Sequence, residues 1–168
     1  LDRSDKGLIK FGGETWEDTE NQIFIPPQKR PVGLLFQDFA LFPHMTVENN
    51  ILYNLPLPKE EKLKRFRELV SLFNLQGLEK RKPCSLSGGE MQKVAIARTV
   101  IRMPKLLLLD EPLSSLDLPT REILQRELKK ILKKLQIPTI FVTHDRTEAI
   151  IMGDRIAVMS DGKVVQMG

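Results

Sequence analysis

The chain has 168 residues, of which 41% are hydrophobic and 29% charged, so it can bury the core of one domain and does not have the composition of a disordered segment. Its 26 basic and 22 acidic residues give a net charge of +4, which suits phosphate-bearing ligands but is equally typical of a solvated, mildly basic surface. No apolar run approaches the roughly 18 residues of a membrane helix, and the single cysteine, Cys84, excludes an internal disulfide and a cysteine-based zinc site.

Short strands and turns dominate the first third of the chain. Runs of strand-forming residues are separated by the turn signal Gly12-Gly13 and by proline, which predicts a small, mostly antiparallel layer. A further apolar run ends at Gln37. The four runs are residues 8–11, 14–16, 23–25 and 32–36.

Three amphipathic helices are predicted from apolar residues that recur every three or four positions. The first spans residues 59–73 and closes near Gly77, the second begins at Ser87, and the third runs from about residue 120 to residue 135. The residues predicted to face inward are Leu63, Phe66, Leu69, Val70, Phe73, Val94, Ala97, Ile101, Leu124, Leu128, Ile131 and Leu135.

Buried strands are predicted between and after these helices. Residues 106–109 and 139–142 are uniformly apolar runs of strand length, which suit parallel strands buried on both faces. Residues 154–159 and 163–167 flank Asp161-Gly162, a hairpin signal that predicts an antiparallel edge. Helices that alternate with buried strands place the chain in the α/β class.

Polar residues follow three of the predicted strands. Gln37 follows the first, Asp110-Glu111 the second and Thr143-His144 the third. Open parallel sheets bind their ligands outside the carboxyl ends of the strands, so these residues are predicted to outline one nucleotide site.

The segment 86–90 reads Leu-Ser-Gly-Gly-Glu and opens the second predicted helix. Ser87 and Glu90 fit a capping box, and the free amides of a helix start attract phosphate. Gly88 and Gly89 would let a ligand approach the backbone closely, or they would allow tight packing against a neighbouring element. The spacing to the Asp-Glu pair favours the ligand interpretation.

These motifs, taken in order, resemble those of the ATP-binding subunits of ABC transporters. They are Leu-Ser-Gly-Gly-Glu at 86–90, four leucines before Asp-Glu-Pro at 110–112, Ser-Leu-Asp at 115–117 and Thr-His-Asp at 143–145. The resemblance implies an α/β fold: a P-loop NTPase-like parallel sheet core, an N-terminal antiparallel strand layer, a helical subdomain, and a C-terminal hairpin at the sheet edge.

The same resemblance divides the single domain, residues 1–168, into three parts. Residues 1–37 form the antiparallel layer and the strand into the Q-loop, residues 38–103 the helical subdomain with the signature motif, and residues 104–168 the Walker B, D-loop, H-loop and closing strands. No Gly-x-x-x-x-Gly-Lys-Ser/Thr phosphate loop (Walker A) occurs in the sequence. We expect it just upstream of Leu1, both ends to be truncated, and these 168 residues alone neither to bind ATP tightly nor to hydrolyse it.

The resemblance also implies a role for each site residue. Asp110 holds Mg²⁺, Glu111 positions or deprotonates the water that attacks ATP, His144 is the switch histidine at the γ-phosphate, and Gln37 touches the metal and the water. The signature residues serve the ATP of a second ABC ATPase subunit in a head-to-tail dimer, and the D-loop crosses to that partner. The signature residues are Ser87, Gly88, Gly89 and Glu90, and the D-loop residues are Ser115, Leu116 and Asp117.

Residues after Gln37 resemble the importer segment that docks on the membrane permease. Phe39, Leu41, Phe42 and Met45 are the predicted permease contacts, although they could also pack under the helical layer. Residues 154–168 resemble the corresponding segment of importers of oxyanions, iron and polyamines, and the resemblance does not distinguish among these substrates. The resemblance implies a cytoplasmic protein, peripheral on the inner face of the cell membrane, served indirectly by an extracytoplasmic binding protein, with no nucleic-acid partner.

Two other functions remain open from the sequence. One is a soluble ABC ATPase that acts on nucleic acid or on the ribosome, although no sustained heptad typical of such proteins is present. The other is a non-catalytic module that donates only its signature motif to a partner, although such a donor needs neither Glu111 nor His144.

Overall fold

The computed structural model describes residues 4–168 and divides the chain into two compact units, Leu1–Val32 and Gly33–Gly168. The boundary between these units lies close to the end of the predicted strand layer. The division into three parts at residues 37 and 103 stays a prediction.

The first unit contains a three-stranded antiparallel sheet in the order β1-β2-β3. Its strands are β1 (Leu8–Phe11), β2 (Glu14–Asp18) and β3 (Ile23–Phe24), which confirms the predicted layer. Trp16 is only 3% exposed, and its ring centroid lies 5.1 Å from that of Phe11. Arg30 approaches the same indole ring and forms an ion pair with Glu17 at 3.4 Å, so this small sheet has a core of its own.

The second unit is built around a three-stranded sheet in the order β4-β5-β6. Its strands are β4 (Val32–Leu35), β5 (Leu106–Asp110) and β6 (Thr139–Val142), close to their predicted bounds. Strands β5 and β6 are parallel, in a register that pairs Asp110 with Val142. The carboxyl ends of these two strands therefore lie level with each other.

Burial of the central sheet is uneven. Leu107 and Leu109 of β5 are fully buried, whereas Ile140 and Val142 of β6 are 54% and 50% exposed. The prediction that residues 139–142 are buried on both faces is therefore wrong for the described chain. Ile140 and Val142 share one face of β6, and among the described residues that face is not covered by another layer. An apolar run does not reveal how many layers cover a strand.

Five α-helices are present among residues 4–168. They are α1 (Val47–Ile51), α2 (Lys59–Leu72), α3 (Gly88–Val100), α4 (Leu118–Leu135) and α5 (Arg146–Met152). The predicted helices α2 and α4 are confirmed to within about two residues at each end, and α3 begins within one residue of its predicted start. The short helices α1 and α5 were not predicted.

The main core lies between β4, β5 and helices α1 to α4, where the predicted inward stripes meet. Phe73, Val94 and Ala97 are 1% exposed or less, and most of the other predicted positions are buried or half-buried against the same cluster. Leu124 is buried in a smaller cluster with Leu113 and Leu116. The amphipathic pattern thus identified the face by which each long helix packs.

The predicted hairpin is confirmed as β7 (Ala157–Ser160) and β8 (Lys163–Met167), which pair in antiparallel fashion. Asp161 and Gly162 both have positive φ, as the turn signal requires. The two strands form a sheet of their own, so the prediction that they extend the edge of the central sheet is wrong for the described strands. A turn signal specifies the pairing of the strands it joins and carries no information about a third strand.

Candidate functional site

Gln37, Glu111 and His144 meet just beyond the carboxyl ends of β4, β5 and β6. The Nδ1 atom of His144 lies 2.9 Å from Oε1 of Glu111, and Nε2 of Gln37 donates to Oε2 of Glu111 at 3.4 Å. The Glu111 carboxylate therefore contacts both Gln37, 74 positions before it in the sequence, and His144, 33 positions after it. The structure therefore brings the three predicted strand ends together, and their role in binding a nucleotide stays a prediction.

Glu111 is held in an uncommon backbone conformation at this point. Its amide donates to the carbonyl of Val142 at 3.0 Å, which extends the β5 to β6 contact one residue beyond the strands. Its φ of +43° lies in the left-handed region, which costs a non-glycine residue about 1–2 kcal/mol. The hydroxyl of Ser114 donates to the Glu111 carbonyl at 2.9 Å and lies 3.5 Å from Nε2 of Gln37. Ser114 is thus a site residue that sequence reasoning missed.

The electrostatics of the site favour a charged imidazole. The hydrogen bond with Glu111, reinforced by its negative charge, raises the pKa of His144 above the usual value of 6.5. The His144 side chain is 72% exposed. Because Nδ1 contacts Glu111, Nε2 is the ring atom left to face a ligand at the surface.

Asp110 is the last residue of β5, and its side chain is exposed. Among residues 4–168 its side chain forms no hydrogen bond or ion pair, so both carboxylate oxygens are available to a hard cation. The described residues contain no group of three or more His, Cys, Asp or Glu side chains placed to hold a metal ion. A single carboxylate fits Mg²⁺ only where phosphate and water supply the remaining ligands.

The predicted capping box at the start of α3 is confirmed. The hydroxyl of Ser87 accepts from the Glu90 amide at 3.3 Å, and Oε2 of Glu90 accepts from the Ser87 amide at 2.7 Å. That backbone hydrogen bond is the main reason why the pKa of Glu90 is lowered. The carboxylate of Glu90 is therefore used to fix the helix start.

Both signature glycines pack closely against the segment that follows Glu111. A Cβ atom on Gly88 would lie 2.9 Å from Cδ2 of Leu116, and one on Gly89 would lie 2.7 Å from Cδ1 of Leu124. The packing interpretation of these glycines thus has direct structural support. Among the described residues, no hydrogen bond or ion pair joins the signature segment 87–90 to Gln37, Glu111 or His144.

The three predicted D-loop residues differ in their surroundings. Leu116 is buried beside Gly88, while Ser115 and Asp117 are exposed. Asp117 is the N-cap of α4 and accepts from the Thr120 amide at 3.1 Å, which lowers the pKa of Asp117. Ser115 is therefore the D-loop side chain most free to contact another molecule.

The four predicted permease contacts are half-buried. Phe39 and Leu41 pack against the main core, and the ring of Phe42 lies 4.5 Å from that of Tyr53. Part of the surface of these side chains is therefore packed inside the protein, as the alternative interpretation predicted, and the rest is exposed. The fourth residue, Met45, is also half-buried.

Two polar side chains, the half-buried Arg98 and the buried Asn50, fix the loop formed by residues 39–46, and the sequence analysis missed both. Arg98 of α3 donates to the carbonyls of Ala40 and Phe39 at 2.7 and 2.9 Å. Asn50 of α1 is fully buried and forms four hydrogen bonds with the backbone of residues 42–46. Both helices therefore hold the segment that follows Gln37.

The chain matches the family described as ABC transporter over residues 1–114. It is 46% identical, over all of its length, to a trehalose/maltose import ATP-binding protein of Thermococcus litoralis, of which it covers 46%. It is 48% identical, over 86% of its length, to a putrescine transport ATP-binding protein of Escherichia coli, of which it covers 39%. The chain thus spans about half or less of the length of the curated relatives that it matches.

Two solved structures share the fold. The protein cbiO1 of Clostridium perfringens, part of an ABC transporter complex, superposes with a TM-score of 0.84 at 28% identity, over 98% of this chain and 66% of that one. A dimeric ATP-binding cassette in a post-hydrolysis state, bound to ADP and Pi, gives a TM-score of 0.76 at 28% identity, over 99% and 75% of the two chains. Within the described residues, no helix combines the length and hydrophobicity needed to span a membrane.

Proposed function

The chain belongs to the ABC transporter family, and from this premise we propose that it is part of the ATP-binding and ATP-hydrolysing subunit of an import system. The observation that supports this most directly is the carboxylate of Glu111, contacted by His144 on one oxygen and by Gln37 on the other. A carboxylate fixed between an imidazole and an amide at strand ends is suited to orient a water molecule for attack on a phosphate.

In this proposal Glu111 accepts the proton of the attacking water or orients that water by hydrogen bonding. Gln37 limits the rotation of the carboxylate and offers its own amide oxygen to the water. His144 uses Nδ1 to hold Glu111, and its raised pKa favours the positively charged form that attracts a phosphate oxygen. Each of the three side chains thus has a separate task at one small site.

Mg²⁺, when bound with ATP, would neutralise charge on the phosphates. Asp110 fits this ion because its exposed carboxylate has no partner among the described residues, and Gln37 would contribute an oxygen. Both residues lie at strand ends next to Glu111, where the proposed water is held.

The proposed partners follow from the relatives. The structural neighbour bound to ADP and Pi is dimeric, and the relatives are named as import ATP-binding proteins. We propose a head-to-tail dimer in which segment 87–90 meets the ATP of the partner subunit, together with a membrane permease that contacts the loop at Phe39, Leu41, Phe42 and Met45. This places the protein at the cytoplasmic face of the membrane, with an extracytoplasmic binding protein acting through the permease.

The test uses the full-length gene product, because these 168 residues contain no Gly-x-x-x-x-Gly-Lys-Ser/Thr loop. Glu111→Gln is expected to lower ATP hydrolysis by about 100-fold or more while ATP binding persists. Glu122→Gln is the matched control, since Glu122 lies exposed on α4. Parent-like hydrolysis by Glu111→Gln would overturn the proposal and favour a module that only donates its signature motif.

A further inference from the structure

The side chain of Arg121 lies between two loops of the candidate site. It projects from the first turns of α4 and is 23% exposed. Its Nη2 atom donates to the carbonyl of Leu116 at 3.0 Å and to that of Ser114 at 3.4 Å. One end of the guanidinium is therefore attached to the backbone of segment 114–117, which contains the D-loop residues.

The rest of the guanidinium faces two carboxylates next to His144. Nη1 lies 3.8 Å from Oδ2 of Asp145, and Nε lies 3.9 Å from Oε1 of Glu148. The Glu148 side chain is only 5% exposed, and its other oxygen accepts from the Thr143 hydroxyl at 2.7 Å. Thr143 and Asp145 are the residues on either side of His144, so Arg121 contacts one of these neighbours directly and the other through Glu148.

The Arg121 contacts are tight on one side and loose on the other. The distances to Asp145 and Glu148 exceed the usual hydrogen-bond range of about 2.7–3.2 Å. Nε of Arg121 is buried and has no hydrogen-bond partner among the described residues. A buried N–H is costly to leave unpaired, so a shift of less than about 1 Å that brought Glu148 into range would be favourable.

We propose that Arg121 is a positioning residue that transmits movement of segment 114–117 to His144. The proposal rests on the proposed function, since it concerns how His144 and Glu111 are aligned for hydrolysis. When segment 114–117 is displaced by contact with a second subunit, its carbonyls draw the guanidinium with them. The guanidinium then changes its distance to Asp145 and Glu148, and these residues reorient the turn that carries His144. Arg121 does not touch the reacting atoms.

The test compares Arg121→Gln with Arg126→Gln in the full-length protein. Arg126 lies exposed on the same helix and has no polar contact in the described part of the chain, so its replacement controls for the loss of a charge. The first readout is the imidazole resonances in a nuclear magnetic resonance spectrum. The resonances of His144 and His44 are identified by their loss in His144→Gln and His44→Gln, and His44 then serves as an internal reference for His144.

Arg121→Gln is expected to shift the His144 resonance and leave that of His44 in place, whereas Arg126→Gln shifts neither. In steady-state hydrolysis, Arg121→Gln is expected to lower kcat about tenfold, with the KM for ATP unchanged within about twofold. Arg121→Lys keeps the charge but loses the planar fork, so it is expected to shift the same resonance. It also decides the question if the glutamine variant does not fold.

An unmoved His144 resonance in a folded Arg121 variant, or an unchanged kcat, would overturn the proposal. A fall in kcat matched by an equal rise in KM would also overturn it, because a positioning role acts on the chemical step. If the parent protein hydrolyses no ATP, the proposed function fails, but the resonance comparison still decides whether Arg121 positions His144.

Discussion

Replacement of Asn50 by alanine should loosen the loop that follows Gln37. The Asn50 side chain is fully buried, and its Oδ1 atom accepts from the Phe42 amide at 2.8 Å. Its Nδ2 atom donates to the carbonyls of Phe42, Met45 and Thr46 at 3.1, 3.2 and 3.0 Å. One short side chain thus provides four hydrogen bonds to a segment without regular secondary structure.

The cost of this change follows from the groups that would be left without a partner. The Phe42 carbonyl also accepts from the Met45 amide, and the Thr46 carbonyl also accepts from the Asn50 amide. Asn50→Ala therefore leaves two groups without a hydrogen-bond partner, the Phe42 amide and the Met45 carbonyl. At about 1–3 kcal/mol for each buried unpaired group, the free energy of unfolding is expected to fall by about 2–4 kcal/mol, since water reaches this half-exposed loop.

Urea denaturation followed by far-ultraviolet circular dichroism measures this loss. Asn49→Ala is the matched control, because Asn49 is exposed on the same helix, and it is expected to change the free energy of unfolding by less than about 0.5 kcal/mol. Limited proteolysis of the folded variant should also become faster within residues 39–46. A loss below about 1 kcal/mol, or one equal to that of Asn49→Ala, would refute the reasoning.

Two further predictions follow from the site. Gly89→Ala is expected to lower the free energy of unfolding by about 1–2 kcal/mol, since overpacking against Leu124 costs about 1–3 kcal/mol and alanine regains up to about 1 kcal/mol of helix propensity. The same urea experiment checks this, and a stabilised variant would show that Leu124 moves aside freely. The pKa of His144 is raised by Glu111, so their contact stabilises the fold fully below the unfolded value of 6.5 and this stabilisation is lost as the pH rises through the raised pKa. His144→Gln should therefore cost more stability near about pH 5.5 than near about pH 9, and equal losses at both would contradict this.

The long helices and the strands could be predicted because their signals are local. Apolar residues at spacings of three and four identified α2, α3 and α4, and the inward face of each. The turn residues Gly12-Gly13 and Asp161-Gly162 identified both hairpins. Each of these signals depends on neighbours in the sequence, so no knowledge of the tertiary structure was needed.

The errors concern features that depend on what lies beside an element. Helices α1 and α5 have five and seven residues, too few for a periodic pattern, and both depend on side-chain caps from Thr46 and Asp145. The exposed face of β6 and the separate sheet of β7 and β8 depend on which layers and strands are adjacent. An apolar or alternating run of residues does not contain that information.

In the site, strand ends were predictable and the residues behind them were not. Gln37, Glu111 and His144 each follow a recognisable apolar run, whereas Ser114, Arg121 and Glu148 are ordinary polar residues in the sequence. Their importance arises from contacts between separate elements, such as the approach of Arg121 to Glu148. The sequence contains no signal that distinguishes these residues, because burial and contacts between separate elements are known only from the structure.

The placement of Trp16 gives the molecule two separate spectroscopic reporters. It is the only tryptophan of the chain and lies buried in the small sheet of the first unit. The five α-helices among the described residues all belong to residues 33–168. Indole fluorescence therefore follows the loosening of the first unit, while the helical dichroism signal follows the second. Recording fluorescence and circular dichroism during one denaturant titration yields two unfolding curves from a single unlabelled sample. Whether these curves coincide or separate measures the cooperativity between the two units.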